Sequence, residues 1–444
     1  MQWVKGNGNS QSHQTHNDPS QSLGWADATS QTVPQSWVDY RWLERRPANT
    51  TRVVFVRHGR STYNDQQRFQ GRSDQSVLTQ QGWDTAHQTG QALRGVPFNA
   101  FYTSPLQRAR QTAQAIDMEM ARELNLSNCS QLVEVNLPLW EGKTYASVKS
   151  EQAKLYQKWI TSPQSVSFSL NGNAWPPAQT SQRIRRLFPL QELYRQAFDF
   201  WHNVRSHHCG ELLLAVAHGG SIRAAISTAI GLLPQHYHQL QQSNCGISIV
   251  DVIWKQDTLL GWLQGINQTG HLAEALPKLK HGKTGLRIIA IPSHSDRLDP
   301  LQTWLNDLPI QYCWIDSHPA SRQLARHVCP HLAPVICNRQ EDWCDRIHRA
   351  ISQDGMASDG MALDKIAAGE LATVAFVATP IHLATWLDSS LKLPSQSPLS
   401  ASGFTPNTAT ILHVPSHGHP AIVQALNFIP LTHRSSRVDD TVWC

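Results

Sequence analysis

The sequence predicts an α/β protein with a mostly parallel sheet covered by helices on both faces. Two observations carry this. Short apolar runs alternate with helical patterns along most of the chain, which is the signature of strands joined by crossover helices. The turns that follow those runs hold clustered Arg, His, Gly and Ser, where open α/β sheets bind ligands. The chain has 444 residues, 40% of them hydrophobic and 16% charged. That length suits two large domains or about three of ordinary size, with enough apolar material for a core.

Taken in order, residues 1–50 are rich in Gln, Ser, Asn and Gly and show no periodicity, so they read as a disordered extension. Arg52–Val56 is a short apolar run and reads as a buried strand. A helical pattern spans Thr79–Leu93, capped by Thr79. Residues 99–103 form a second strand, and Ser104–Met120 a helix. Further helices are expected at 146–160 and 189–206. Residues 211–217 (ELLLAVA) form another buried strand, 221–230 a helix, and 246–252 the last strand of this series. The stretch Ile160–Leu190 is aperiodic, which in a compact domain suits a lid. Its Arg183, Arg185 and Arg186 could meet a second anionic group or form a solvated run. Residues 266–285 are polar with Gly and Pro and read as a linker, and a second βα series begins at Leu286–Ile291.

Composition excludes several function classes. Lys and Arg number 38 against 33 Asp and Glu, a net charge of +5 without a basic run, so neither nucleic acid nor a membrane surface is an expected partner. No apolar stretch reaches the length of a membrane span, and the N-terminus lacks a secretory apolar region. The eight cysteines contain no C-x-x-C pair, which speaks against a zinc ribbon and suits reduced thiols in the cytoplasm. His413, His417 and His419 cluster in one segment that could bind a metal, since imidazole suits zinc or nickel, but no Cys or carboxylate in the same segment completes the site.

Four segments carry chemistry. Arg57-His58-Gly59-Arg60-Ser61-Thr62-Tyr63-Asn64 follows the first strand directly. A fork of guanidinium donors, an imidazole and a glycine that admits close backbone approach suit an oxyanion. Ser104-Pro105-Leu106-Gln107-Arg108 opens a helix after the second strand. Ala217-His218-Gly219-Gly220-Ser221 has the same placement after the third. Glu134 to Gly142 supplies two carboxylates, Glu134 and Glu141.

Together these segments resemble the histidine phosphatase superfamily, whose fold is phosphoglycerate mutase-like. R-H-G-x-S-x-x-N matches at 57–64, S-P-L-x-R-A-x-x-T-A at 104–113, the E-x(6)-E-G segment at 134–142 and A-H-G-G at 217–220. The resemblance covers about residues 52–253. Stretches at 68–79 and 242–251 are most similar to the plant 2-carboxy-arabinitol phosphatase branch, suggesting a cyanobacterial or plastid lineage. The resemblance implies a phosphomonoesterase in which His58 becomes phosphorylated. Arg57, Arg108 and His218 would hold the phosphoryl oxygens, and Asn64 and Gly219 would add donors. Glu134 would be the acid and base, with Glu141 the alternative, because Leu137-Pro138 stands where the family usually has an aromatic–glycine pair. Gln70, Gly71, Arg72 and Asp74 would line the entrance. The implied substrate is a small phosphate ester, with no cofactor and no metal. A phosphoglycerate mutase and a phosphometabolite-binding pseudo-enzyme are the alternatives, and a homodimer is a further expectation.

Residues 286–444 repeat the pattern weakly, with Pro292-Ser293 in place of Arg-His and Thr379-Pro380 in place of His-Gly. They read as a degenerate second copy of the fold without phosphoryl-transfer chemistry, or as an unrelated small α/β domain.

Overall fold

The computed structural model describes residues 40–120, 125–170, 185–280, 282–296, 298–336, 370–393, 397, 399, 403–415 and 420–429. Within them, the part of the chain from Ser36 onward forms one compact unit. Arg183, His417 and His419 lie outside the described residues.

The first strand, β1 (Thr51–Arg57), is buried along nearly its whole length because TRVVFVR packs on both faces. It pairs in parallel with β6 (Leu212–Ala217) and antiparallel with β7 (Ile247–Lys255). β2 (Ala100–Thr103) lies beyond β6, and β3 (Leu126–Asn128) forms the edge, both parallel. β7 turns back into β8 (Thr258–Gln268). Helices flank this sheet: α1 (Thr62–Asp65), α2 (Gln80–Ala92), α3 (Gln107–Glu119), α4 (Tyr145–Glu151), α5 (Ala153–Thr161), α6 (Pro189–His207) and α7 (Gly219–Ile230). Thr79 caps α2, its hydroxyl accepting from Gly82 N at 3.1 Å. α7 stops where Gly231 takes φ 73°, a left-handed conformation that glycine adopts freely.

The second half adds β9 (Gly285–Pro292), α8 (Leu298–Asn306), β10 (Tyr312–Ile315), α9 (Pro319–Val328), β11 (Pro334–Ile336), β12 (Leu371–Ala378), a helix at Pro380–Ser390, β13 (Ala409–Val414) and β14 (Ile422–Phe428). Twelve strands join in one sheet, ordered β11-β10-β12-β9-β13-β14-β8-β7-β1-β6-β2-β3. Reading outward from the β14–β8 junction, β14-β13-β9-β12-β10-β11 repeats β8-β7-β1-β6-β2-β3, including which pairs are parallel. The two short strands β4 (Phe168–Leu170) and β5 (Arg185–Leu187) pair separately, within the stretch expected to be a lid.

The structure differs from the sequence expectations at five places. Order begins before residue 51: Arg41–Glu44 form a 3-10 helix, and Tyr40 and Leu43 are buried against the sheet. Two apolar side chains in a polar stretch suffice for this docking, so the expected disordered extension is corrected for residues 40–50. α3 starts at Gln107, because Leu106 before it is in extended backbone at φ −74° and ψ 139°. The single helix expected over 146–160 breaks at Gln152, whose backbone leaves the helical region at φ −130° and ψ 40°. β8 is an additional strand, hidden in the sequence because Gly261, Gly265 and its Gln and Asn residues blur its alternation. It runs to Gln268, so the first three residues of the expected linker belong to a strand.

Candidate active site

The site lies at the carboxyl ends of β1, β6 and β2. Arg57 pairs with Ala217 across the parallel ladder, and His58 N donates to Ala217 O at 2.9 Å. His58 and His218 therefore leave adjacent strands at the same level, and their ring centroids stand 5.2 Å apart. Ser104 leaves β2 one strand further on, and its hydroxyl lies 2.7 Å from His218 Nε2.

Both imidazoles are buried. His58 Nδ1 is 2.8 Å from Gly59 O. A carbonyl can only accept, so Nδ1 carries the proton and Nε2 keeps a lone pair. Burial, then the Arg57 and Arg108 charges, hold His58 well below the usual histidine range, opposed by the Gly59 carbonyl. Burial and Arg108 do the same to His218. The ring of His58 is thus neutral, with the Nε2 lone pair that a nucleophile needs.

The turn that carries it is tightly supported. Gly59 N donates to Thr112 Oγ1 at 2.9 Å, and a Cβ on Gly59 would stand 2.6 Å from Gly82 O. Asn244 Nδ2 donates to His58 O (2.9 Å), Gly59 O (3.1 Å) and Asn64 Oδ1 (3.1 Å). Asn64 Oδ1 also accepts from Ser61 N at 3.2 Å, closing the first turn of α1.

Arg57 donates one NH group to Gln242 O at 2.9 Å. Arg108 is fully buried and donates to Ser73 O and Gly71 O, each at 2.9 Å. Burial pushes Arg108 down to about 10. Among the described residues, Nε of Arg57, Nε of Arg108 and Nδ1 of His218 are buried with no hydrogen-bond partner. Unpaired buried guanidinium donors are costly, and an anion bound beside them would relieve that cost.

Glu134 lies against the start of α7. Its Oε2 accepts from Gly220 N at 3.1 Å and its Oε1 from Val135 N at 2.8 Å. A Cβ on Gly220 would fall 2.0 Å from Glu134 Oε1, so only glycine admits the carboxylate here. Gly219 opens α7 beside Arg57. Glu141 instead holds the neighbouring loop: its Oε1 accepts from Arg72 N at 2.6 Å, and Gly71 adopts φ 49° against it.

The remaining sequence-predicted residues border this core. Gln70 Oε1 accepts from Ser61 Oγ at 3.1 Å. Arg72 is engaged within the protein, donating to Glu134 O at 3.3 Å and Gln196 Oε1 at 3.0 Å and pairing with Glu192 at 3.0 Å. Asp74 caps α3, accepting from Gln107 N at 2.5 Å. His413 is distant in the second half, 3.0 Å from Thr284 O. Among the described residues no group of three His, Cys, Asp or Glu could hold a metal ion.

Sequence reasoning missed Ser104 as the partner of His218, Asn244 at the His58 turn, and Arg223, whose guanidinium stands 5.2 Å over the Tyr237 ring beside Gly220. Ser104 and Asn244 do fall in stretches that stand out in the sequence, 104–113 and 242–251, but a serine or an asparagine carries no recognisable chemistry until the fold brings it to its partner.

Residues 53–264 match the histidine phosphatase superfamily (branch 1). With the two histidines and two arginines gathered at one strand end, the assignment is plain. Residues 53–264 belong to the histidine phosphatase superfamily. The chain is 34% identical over 208 residues to a probable 2-carboxy-D-arabinitol-1-phosphatase of Arabidopsis thaliana, covering 47% of this chain and 39% of that one. It is 34% identical over 219 residues to 2-carboxy-D-arabinitol-1-phosphatase of Triticum aestivum, covering 48% and 40%. The match thus spans about two-fifths of the length of these plant relatives. A solved phosphoserine phosphatase of Entamoeba histolytica in complex with 3-phosphoglyceric acid covers 50% of this chain and 99% of its own, at 24% identity and a TM-score of 0.38.

Proposed function

We propose that the protein is a metal-independent phosphomonoesterase acting on a small phosphorylated metabolite, with 2-carboxy-D-arabinitol 1-phosphate as the first candidate. The observation that carries this reading is the pair of buried histidines 5.2 Å apart, flanked by arginines whose Nε groups have no partner among the described residues. The substrate candidate is supported by the two plant relatives.

In the proposed reaction, His58 Nε2 attacks phosphorus as the ester P–O bond breaks. Glu134, as its acid, gives the leaving oxygen a proton, and a phosphohistidine forms. Water then attacks phosphorus, the N–P bond breaks, and Glu134 takes the water's proton. Arg57, Arg108 and His218 hold the equatorial oxygens, the two guanidinium groups supplying the positive charge, supported by the Gly219 end of α7. Asn64, through Asn244, positions the His58 turn. Gly71 and Arg72 hold Arg108 and Glu134 in place, and Gln70 borders the entrance. Arg186 lies on β5, where a cap over the site is the proposed role of the β4–β5 pair.

The second half is proposed as a degenerate copy. Ser293 N donates to Ala378 O at 2.8 Å, as His58 N does to Ala217 O, so Ser293 stands at the nucleophile's place and Thr379 at that of His218. There a carboxylate replaces the anion-binding groups: Asp316 Oδ2 accepts from Thr379 N at 2.8 Å and pairs with His382 at 2.9 Å. Cytoplasmic placement belongs to the same reading and is supported by the free thiols of Cys129, Cys209, Cys245, Cys313 and Cys329.

Phosphate release from a panel of sugar phosphates, phosphoglycerates and phosphoserine tests the reaction. Wild type should turn over at least one ester, and His58→Ala should lower that rate by about 10⁴-fold or more, as loss of a covalent nucleophile does. Equal rates in the two proteins would overturn the proposal, and isomerisation of 3-phosphoglycerate outrunning phosphate release would turn it into a mutase.

A further inference from the structure

The connection between the two halves enters the site. Lys280 lies in it. The residue as a whole is exposed, while its ammonium reaches inward and donates to Gln242 O. That same carbonyl accepts from Arg57 at 2.9 Å. One neutral oxygen thus holds two cationic groups, which repel each other and share half the compensation that each needs.

Arg223 of α7 adds to this side of the site. Its guanidinium stands 5.2 Å over the Tyr237 ring, and its Nε is buried without a hydrogen-bond partner among the described residues. Tyr237 in turn reaches Gly220, where Glu134 sits. Burial, then the Arg57 and Arg223 charges, push the Lys280 ammonium well below the ordinary lysine range, opposed by Glu274. Glu274 is itself paired with Lys278 at 3.0 Å. Around the phosphoryl position the described cations thus include Arg57, Arg108, Arg223 and Lys280, with the Glu134 carboxylate acting on both Arg57 and Arg108 and those of Asp74 and Glu141 on Arg108. A phosphoryl group bound by Arg57 and Arg108 leaves Lys280 and Arg223 without an ion-pair partner among the described residues, each held by a neutral group, the Gln242 carbonyl and the Tyr237 ring.

The placement of Lys280 is built, not incidental. The loop bearing Gln242 is tied to the second half, with Gln241 N donating to Val423 O at 2.9 Å and Gln241 Nε2 to Lys278 O at 3.0 Å. The connection is pinned at Ala275 O, which accepts from Trp304 Nε1 at 2.8 Å, and at Pro277 O, which accepts from Arg287 at 3.3 Å. Trp304, Arg287 and Val423 all belong to the second half, so that half fixes where the ammonium arrives.

We propose that Lys280, with Arg223, forms a second anion subsite beside the phosphoryl position, so that the enzyme selects phosphate esters bearing another carboxylate or phosphate. The second half then contributes to specificity through the connection it holds. This rests on the phosphatase reading for the location of the phosphoryl group, and it is testable without turnover.

The test is calorimetric binding to the full chain carrying His58→Ala, compared with His58→Ala/Lys280→Met and His58→Ala/Lys280→Arg. Two ligand pairs are used: 3-phosphoglycerate against glycerol 3-phosphate, and fructose 1,6-bisphosphate against fructose 6-phosphate. The first pair reports a carboxylate and the second a phosphate. The doubly anionic member of at least one pair should bind more tightly to His58→Ala. Lys280→Met should reduce that preference about tenfold, the scale of one charged hydrogen bond, and Lys280→Arg should restore most of it. Absence of any preference, or a preference that Lys280→Met leaves unchanged, overturns the subsite. Phosphate release by wild type is read separately, so a Lys280-dependent preference in a protein without turnover would retain the subsite and remove the phosphatase reading.

Discussion

Burying an imidazole penalises its charged form, and the protein does this at three positions around β1. His58 and His218 are held well below the usual range, and burial pushes His271 down to about 3. His271 lies away from the phosphoryl site, with Nε2 at 3.1 Å from Thr89 Oγ1, so its titration can be read as stability. A base whose folded pKa is lowered binds its proton first in the unfolded chain. Its contribution is complete above the unfolded value of about 6.5 and is lost as pH falls toward about 3. Within that window each such histidine adds about 1.4 kcal/mol of lost stability per pH unit. Stability measured by urea unfolding from pH 6 to pH 4 should therefore fall with a slope shallower by about that amount in His271→Gln than in wild type. Equal slopes would mean that His271 is protonated in the folded protein. At this scale the sequence is a good guide where chemistry is contiguous: Arg57, His58, Arg108 and His218 carry their meaning in short runs. Asn244, Arg223 and Lys280 do not, because a lone polar side chain acquires a role only when distant segments meet.

α7 shows how one element joins two duties. Its first turn presents Gly219 to Arg57 and Gly220 to Glu134, while the rest of the helix is buried under the sheet. Gly220→Ala adds a methyl group to a helical position, which propensity favours, yet its Cβ would lie 2.0 Å from Glu134 Oε1 and 2.6 Å from the Tyr237 hydroxyl. The carboxylate must move. Phosphate release should fall about 100-fold or more, in the range of lost acid–base catalysis, while the thermal midpoint changes little. Wild-type turnover in Gly220→Ala would remove Glu134 from its proposed role. Elements with a strong pattern are legible in the same way: β1, β6 and β9 are apolar runs, and α2 announces its start through Thr79. β8 is not, since its pairing with β7 and β14 compensates for glycines and amides that weaken a strand in isolation. The late start of α3 at Gln107 and the helix break at Gln152 reflect local backbone geometry that helical periodicity does not encode.

At the scale of the whole molecule, the sheet and the core ignore the boundary that composition suggests. One cluster of buried side chains contains Phe55, Trp201 and Ile266 from the first half and Ile288, Leu412 and Leu426 from the second. The junction is also polar: Gln268 Nε2 donates to Leu426 O at 2.9 Å, and Asn267 Nδ2 to Gln424 O at 2.7 Å. Parting the halves would expose apolar area and these buried amides together, so neither half has a low-energy way to open alone. Leu426 is fully buried at this seam, opposite Ile266. Leu426→Ala should cost about 2–5 kcal/mol, and the loss should be felt in both halves. Native-state hydrogen exchange reads this directly: the amides of β1 and of β9 should lose protection by the same free energy in Leu426→Ala. Loss confined to β9 would show that the halves unfold separately, and the second half would then be a tethered neighbour of the site and not a part of its frame.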